Sequence, residues 1–149
     1  MIINDFEYSP DGNHIACRDY ISVRTWDIRN PNGPVSSIPL IEFSKMTPVL
    51  VDLYDRDNVF DKFQLAWLND SSHILTGFYG NTFSVLNPFT RSKHTYRIDK
   101  SMGSVENVHG HEISLGKMLN EKCSYVKMSD RDVAFISATD TIVAVDFQP

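Results

Sequence analysis

His109, His111 and Cys123 are the residues of this sequence that are considered as candidate metal ligands. The two histidines flank Gly110, and neither has a cysteine or an aspartate at the spacing of a zinc ligand pair. Such a pair in a glycine-containing segment is more typical of a solvated loop than of a zinc centre. We therefore expect no metal and no other cofactor, and an enzyme that uses these three residues as metal ligands is a distant alternative.

Motifs for nucleophilic catalysis or nucleotide binding give no better support for an enzyme. The sequence contains no GxSxG, HExxH, P-loop or GxGxxG pattern, so no motif supports a hydrolase, a metalloprotease or a nucleotide-binding protein. Cys17 and Cys123 are its two cysteines, and their wide separation indicates no disulfide framework and favours a reducing compartment. We predict a non-enzymatic protein of the cytoplasm, with the nucleus as the alternative compartment.

Asp19 is the carboxylate with the clearest candidate role in binding. It stands in a tight turn between two predicted strands, where an acid has two interpretations. In the first, it accepts hydrogen bonds that hold the corner of the sheet, with Arg18 or Arg24 as a partner within the chain. In the second, it lies on an exposed rim and meets a basic side chain of a ligand. The residues alone leave both interpretations open.

A structural role is favoured for the Trp26-Asp27 pair that ends the following strand. We expect Trp26 to pack in the core of a sheet and Asp27 to accept hydrogen bonds in a turn. Four further aspartates form an acidic run, which is usually a solvated face and is otherwise a docking patch. They are Asp52, Asp55, Asp57 and Asp61.

Composition narrows the classes of partner. The 149 residues are 42% hydrophobic and 22% charged, which is ordinary globular composition and predicts a folded chain. The net charge of −5 disfavours a nucleic-acid backbone as partner and favours basic peptides. The longest apolar runs are far shorter than the ~20 residues that span a bilayer, so no membrane partner is expected.

Alternation of apolar and polar residues predicts short antiparallel strands joined by tight turns. In residues 21–28, for example, Val23 and Thr25 share one face and Arg24 and Trp26 share the other. The same layout of three strands occurs three times. The predicted strands cover residues 4–9, 14–18 and 21–28, then 63–68, 73–79 and 82–86, then 124–128, 133–138 and 141–147.

The three repeats predict an all-β, open, partial WD-repeat β-propeller of about three antiparallel blades. Their aromatic starts, Phe6, Phe63 and Tyr125, lie 57 and then 62 residues apart. A minimal propeller repeat has ~40 to 45 residues, so each unit must carry an insertion. The predicted blades cover approximately residues 4–40, 62–99 and 123–148, with a helical insertion at 41–61 and a polar loop at 100–122. Only three strands can be drawn in the last blade, whereas a propeller blade has four.

Pro48 governs the prediction for the helical insertion. A proline inside a helix removes a hydrogen bond, so an uninterrupted helix is not expected across this residue. With Thr47 as N-cap and Pro48 at the first helical position, a short helix is predicted to run to about Asp55.

A resemblance to a known family is carried by SPDGNHIACRDYISVRTWDIRNPNGPV, by an insertion that ends in LYDRDNVFDKFQLAW, and by HILTGFYGNTFSVLNPFTR. Many WD-repeat proteins share Trp-Asp and the Pro-Asp-Gly turn. Arg18-Asp19-Tyr20 before a strand, together with a helix that leads into residues 58–63, is more specific. These features resemble the C-terminal blades of the B-type 55-kDa regulatory subunits of protein phosphatase 2A. The resemblance is close over residues 4–92 and looser over 123–147.

The resemblance implies a seven-bladed propeller that brings phosphoprotein substrates to a phosphatase catalytic subunit through a scaffold subunit. It implies that Asp19 occupies an acidic position of a groove for basic substrate segments, with Arg24 at a basic position close by. Because only the C-terminal blades are covered, the chain is expected to be a fragment or a shortened relative. The alternatives are a generic WD-repeat interaction scaffold and a non-functional truncated product.

Overall fold

The computed structural model describes residues 2–101, 103–108 and 121–147, and these residues form three antiparallel sheets, one α-helix and one short 3₁₀ helix. In every sheet, strands that are consecutive in sequence pair with each other. The first sheet contains β1 (Asp5–Tyr8), β2 (His14–Arg18), β3 (Ser22–Asp27) and β4 (Ser36–Pro39). The second contains β5 (Leu65–Trp67), β6 (Ile74–Gly77), β7 (Thr82–Asn87), β8 (Ser92–Asp99) and β9 (Ser104–Asn107). The third contains β10 (Val126–Met128), β11 (Val133–Ala138) and β12 (Thr141–Asp146).

The all-β prediction is confirmed, and the sheets form an open array that does not close into a ring. The first strands of the sheets lie together, with β5 in contact with both β1 and β10. Each predicted strand corresponds to an observed one, while β4, β8 and β9 add outer strands to the first two sheets. Within the described residues the last sheet has three strands, as predicted.

Alternation along β5 explains why the second sheet lies between the other two. Leu65 and Trp67 pack into one buried cluster with residues of the first sheet. Ala66 and Leu68 pack into another cluster with residues of the third sheet. Successive side chains of a strand point to opposite faces, so a strand that is apolar at every position can bury both faces.

The outer sheets expose one side. Phe6 and Tyr8 of β1 are 58% and 57% exposed, and Ile142 of β12 is 73% exposed. A core-facing strand would bury its alternate apolar residues. These side chains therefore mark the two open ends of the array.

The helix differs from the prediction. It covers Phe43–Asp55 (α1), with Glu42 at the N-cap and Pro48 inside it, followed by a 3₁₀ helix at Asn58–Phe60. The predicted end at Asp55 is confirmed, but the predicted start at Pro48 is wrong. Ile41, just before the helix, and Leu53, near its end, are buried in one cluster with Phe63, and packing at both ends offsets the hydrogen bond that the proline cannot donate.

The predicted polar loop is also wrong in part. Residues 104–107 form β9, which pairs with β8 in the register Ile98 to Val105. Residues 109–120 of that loop, with His109 and His111, lie outside the described residues.

Candidate functional site

Asp19 is a corner residue of the first sheet. Its Oδ1 accepts hydrogen bonds from the backbone N–H groups of Ile21 at 2.9 Å and Ser22 at 2.7 Å. The Ser22 hydroxyl lies 3.1 Å from both carboxylate oxygens. Asp19 is only 8% exposed. These contacts are those of an Asx turn, so the structural interpretation of Asp19 has a direct geometric basis.

Arg24 lies beside Asp19, as the sequence suggested for a partner within the chain. Its Nη2 atom is 3.9 Å from Asp19 Oδ2, and its side chain is 35% exposed. An ion pair of this length at a partly exposed site contributes little to stability by itself. The two predicted binding residues are thus brought together, with the arginine as the more accessible member.

Arg18 does not share this corner, although it precedes Asp19 directly. It is completely buried, and its Nη1 donates hydrogen bonds to Thr76 Oγ1 and, at 2.5 Å, to the Gly77 carbonyl oxygen. Its guanidinium lies 4.7 Å from the ring centroid of Phe63, a cation–π arrangement. Arg18 therefore joins the first sheet to the second. The sequence does not predict this burial, because arginine side chains are almost never fully buried in proteins.

Trp26 and Asp27 have different surroundings. Trp26 is half-buried, opposite Ile15 on β2, so it is not fully enclosed. Asp27 Oδ1 accepts hydrogen bonds from the backbone N–H and Nε of Arg29, both at 2.9 Å. The side-chain hydrogen bond from Arg29 lowers the pKa of Asp27 to about 2. Asp27 is thus a hydrogen-bond acceptor in an exposed turn.

Trp67 is the more deeply buried tryptophan, and the sequence analysis gave it no role. It is 3% exposed, and its Nε1–H donates a 3.1 Å hydrogen bond to the Glu7 carbonyl oxygen. Its backbone N–H donates to the Glu7 carboxylate at 2.8 Å. Trp67 shares one face of β5 with Leu65, and this alternation in the sequence could have identified it as a core residue. Glu7, on β1 of the first sheet, therefore accepts hydrogen bonds from the outer edge of β5.

Asp61 is the centre of a polar network that the sequence analysis missed. Lys122 Nζ donates to its Oδ1 at 2.6 Å, and the Tyr79 hydroxyl and Asn58 Nδ2 donate to its Oδ2, both at 2.9 Å. The Tyr20 hydroxyl donates to its backbone carbonyl. Asp61 thereby connects segments that adjoin all three sheets.

The acidic run is consequently not one uniform surface. Asp52, Asp55 and Asp57 are exposed, whereas Asp61 is half-buried. Burial acts to raise the pKa of Asp61, but hydrogen bonds from Lys122, Asn58 and Tyr79 outweigh it and hold the pKa below the usual value. Asp61 is therefore ionised at neutral pH and keeps Lys122 in place.

Asp61→Asn is expected to lower the free energy of unfolding by about 1 to 2 kcal/mol at pH 7, because it removes a charge-assisted bond to Lys122 in a partly buried site. A carboxylate with a depressed folded-state pKa stabilises the fold above its unfolded value, near 3.8, and loses that effect as the pH falls through the folded value. Urea unfolding at pH 7 and at a pH well below 3.8 measures both effects, and the difference between the parent and the variant should shrink at the lower pH. Asp55→Asn, at the exposed end of α1, is the control and is expected to change stability little.

Within residues 2–101, 103–108 and 121–147, no three His, Cys, Asp or Glu side chains come together as metal ligands would. No helix in the same part of the chain combines the length and the apolar character that crossing a bilayer requires.

Comparison with known proteins identifies relatives in one class, the regulatory subunits of a phosphatase. The alpha isoform of the 55 kDa B-type regulatory subunit of serine/threonine protein phosphatase 2A from Oryza sativa subsp. japonica is 42% identical over 83 residues, 56% of this chain and 14% of that protein. The B-type regulatory subunit of protein phosphatase PP2A from Schizosaccharomyces pombe is 37% identical over 83 residues, 56% of this chain and 18% of that protein. The regulatory subunit sur-6 from Caenorhabditis elegans is 37% identical over 81 residues, 54% of this chain and 16% of that protein.

The resemblance seen in the sequence is therefore confirmed: more than half of this chain is homologous to the 55-kDa B-type regulatory subunits of protein phosphatase 2A. The chain spans less than a fifth of the length of these relatives. No family model matches it. Among solved structures, Hsv2 from Kluyvelomyces marxianus aligns with 98% of this chain and 33% of its own, at a TM-score of 0.47 and 11% identity.

Proposed function

We propose that this chain is part of a regulatory, substrate-recruiting subunit of a protein phosphatase 2A holoenzyme and has no catalytic activity of its own. The observation that carries the proposal is the 37–42% identity to proteins named as regulatory subunits. The proposed partners are the scaffold and catalytic subunits of the phosphatase and phosphoprotein substrates with basic segments. The proposed location is the cytoplasm, with the nucleus as the alternative.

In this proposal the chain acts by binding, and the dephosphorylation takes place on another subunit. Charge complementarity selects a substrate and raises the rate of encounter more than it raises the affinity. Arg24, the more accessible member of the corner pair, and Asp19 Oδ2 are the groups that would meet a charged substrate side chain. Neither a nucleic acid nor a membrane is part of the proposed set of partners.

Affinity purification tests the proposal. The full chain carrying a small tag is expressed in a eukaryotic cell, and phosphatase scaffold and catalytic subunits are expected in the eluate above the level of a tag-only control. Phosphatase activity in the eluate should be blocked by an inhibitor of the catalytic subunit. A well-folded chain that retains neither subunit would leave the generic interaction scaffold as the better interpretation.

Asp19→Lys tests the substrate-binding part of the proposal. The corresponding segment of the Oryza sativa relative is replaced by this chain's residues, so that the remaining blades are present. Losing an attractive contact and adding a repulsive one is expected to weaken capture of a basic substrate peptide by about tenfold. Fluorescence polarisation of the labelled peptide measures the change.

Asp19→Asn is the matched control, because asparagine is compatible with the same turn and has no charge. A binding role predicts a clear loss of peptide affinity that becomes smaller at high salt, since screening weakens the original attraction. A purely structural role predicts little change in affinity from Asp19→Asn. If neither variant alters peptide binding, Asp19 serves only as a corner residue.

A further inference from the structure

A cleft of about 490 Å³ lies between the segment that leads into β5 and the third sheet. Phe60 and Lys62 line it from the first side, and Lys122 and Tyr125 line it from the second. It adjoins the Asp61 network but is distinct from the Asp19 corner. Nothing in the proposed function makes use of it.

Two exposed aromatic side chains flank the cleft. Phe60 is 79% exposed and Tyr125 is 65% exposed. Exposed aromatic groups beside a concavity are characteristic of binding surfaces, because a ring supplies a large contact area with few rotatable bonds. These two side chains offer packing surface to an apolar residue of a ligand.

The polar lining of the cleft is rich in hydrogen-bond donors. Lys62 is exposed, and among the described residues Asp61 is the one acceptor for Lys122 Nζ, which has two further N–H groups. Ser137 Oγ accepts hydrogen bonds from the backbone N–H groups of Ser124 and Tyr125, and no residue in the described part of the chain accepts its own O–H. The cleft therefore presents several donors to a ligand.

Asp61 also lines the cleft, but its carboxylate does not make the cleft a site for cations. Asp61 accepts from Lys122 at Oδ1 and from Asn58 and Tyr79 at Oδ2, so its oxygens are engaged within the chain. The negative charge of Asp61 is balanced by the positive charge of Lys122, and Lys62 supplies a further positive charge. The local charge is thus positive, in a chain whose net charge is −5.

We propose that this cleft binds an anionic side chain, a carboxylate or a phosphate, on a protein segment whose neighbouring apolar residue packs against Phe60 and Tyr125. Lys62, the remaining N–H groups of Lys122 and the Ser137 hydroxyl donate to the anion. Charge-assisted hydrogen bonds of this type are stronger than neutral ones. Where Asp19 meets a basic side chain, as in the proposed function, the cleft and the Asp19 corner select opposite charges on a bound protein.

The test titrates the full chain into fluorescein-labelled peptides and follows fluorescence polarisation. The probe is Gly-Gly-Phe-Glu-Gly-Gly, with phosphoserine, glutamine or lysine in place of glutamate in three further peptides. The glutamate and phosphoserine peptides are expected to bind at least about fivefold more tightly than the other two, and less tightly at high salt. Tighter binding of the phosphoserine peptide identifies phosphate as the source of the anion, and equal binding identifies the carboxylate.

Lys62→Gln and Tyr125→Ala are each expected to weaken binding of the glutamate peptide about fivefold to tenfold. Both side chains are exposed, so circular dichroism should show an unchanged fold. Arg131→Gln is the matched control, because Arg131 is an exposed cation in the turn between β10 and β11, at the opposite end of the third sheet. It is expected to leave binding unchanged.

The proposal is overturned if none of the peptides binds, if the glutamine peptide binds as tightly as the glutamate peptide, or if Lys62→Gln has no more effect than Arg131→Gln. The assay contains no phosphatase subunit. A failure here is therefore separate from a failure to co-purify those subunits.

Discussion

Gly77→Ala is expected to lower the free energy of unfolding by about 3 kcal/mol or more, among the larger effects seen for a single added methyl group. A Cβ atom at this position would lie 1.8 Å from the carbonyl oxygen of Cys123 and 2.7 Å from its carbonyl carbon. Both are backbone atoms, so no side-chain rotation relieves the clash. The third sheet would have to move away from the second.

The segment before β10 is poorly able to make that movement. The Cys123 backbone N–H donates to the Phe78 carbonyl oxygen at 2.9 Å, and the Gly80 N–H donates to the Glu121 carbonyl oxygen at 2.6 Å. Displacing the segment would break these bonds, and Cys123 and Phe78 are buried, so each of their backbone groups left unpaired costs about 1 to 3 kcal/mol. The junction between the two sheets therefore requires glycine at position 77.

Urea unfolding followed by tryptophan fluorescence measures the effect, with the buried Trp67 as a reporter of the core. Gly33→Ala is the control, because no atom lies within 4 Å of the added Cβ and the backbone there has no positive φ. The control should leave the transition within about 0.5 kcal/mol of the parent. Equal stability of the two variants would mean that the sheets adjust freely at this junction.

Arg18→Ala is expected to lower the free energy of unfolding by about 3 to 4 kcal/mol, and Arg18→Met by about 1 kcal/mol or less. Alanine removes the side chain from a fully buried position and leaves a cavity beside Phe63 and Thr76. Both substitutions remove the donor to the Gly77 carbonyl oxygen, so the difference between them comes from the cavity. Methionine retains most of the volume and the packing on the ring.

The reason for the small loss with methionine lies in the incomplete pairing of the guanidinium. Nε and Nη2 of Arg18 are buried, and no described residue accepts a hydrogen bond from them. Burial lowers the pKa of Arg18 to about 9, so the group is still charged at neutral pH and its desolvation opposes folding. Replacing a buried, partly paired charge by an apolar group of similar size is often neutral or stabilising.

Chemical unfolding of the parent and both variants at pH 7 gives the three free energies. A loss for Arg18→Met as large as that for Arg18→Ala would show that the charge and its hydrogen bonds outweigh the desolvation. Phosphatase co-purification of Arg18→Met provides a second measurement. It is expected to match the parent, because Arg18 has no exposed surface with which to contact a partner.

Strand positions could be predicted well from the sequence alone, because they depend on local properties of the chain. The alternation in β3 and the turn residues around Asp19 indicate where the backbone extends and where it reverses. The apolar run around β5 predicted a strand in the same way. The family resemblance also follows from local runs of residues and needs no coordinates.

Contacts between residues far apart in sequence were decided only by the tertiary structure. Arg18 meets Thr76 and Gly77, and Asp61 meets Lys122, only after the sheets have packed against one another. A strand pattern specifies which side chains share a face but not which sheet covers that face. The roles of these residues therefore could not be read from types and spacing.

Pro48 shows the same division within a single element. Proline favours the first position of a helix, but this local preference did not determine where the helix starts. The helix nevertheless extends back to Phe43, and Ile41 just before it and Leu53 near its end are buried in one cluster, which holds both ends of the helix in place. The sequence by itself determined the strands, the turns and the relationship to other proteins, which depend on nearest neighbours. The tertiary structure decided the buried arginine, the glycine junction and the Asp61 network, because each depends on surfaces that meet only in the folded chain.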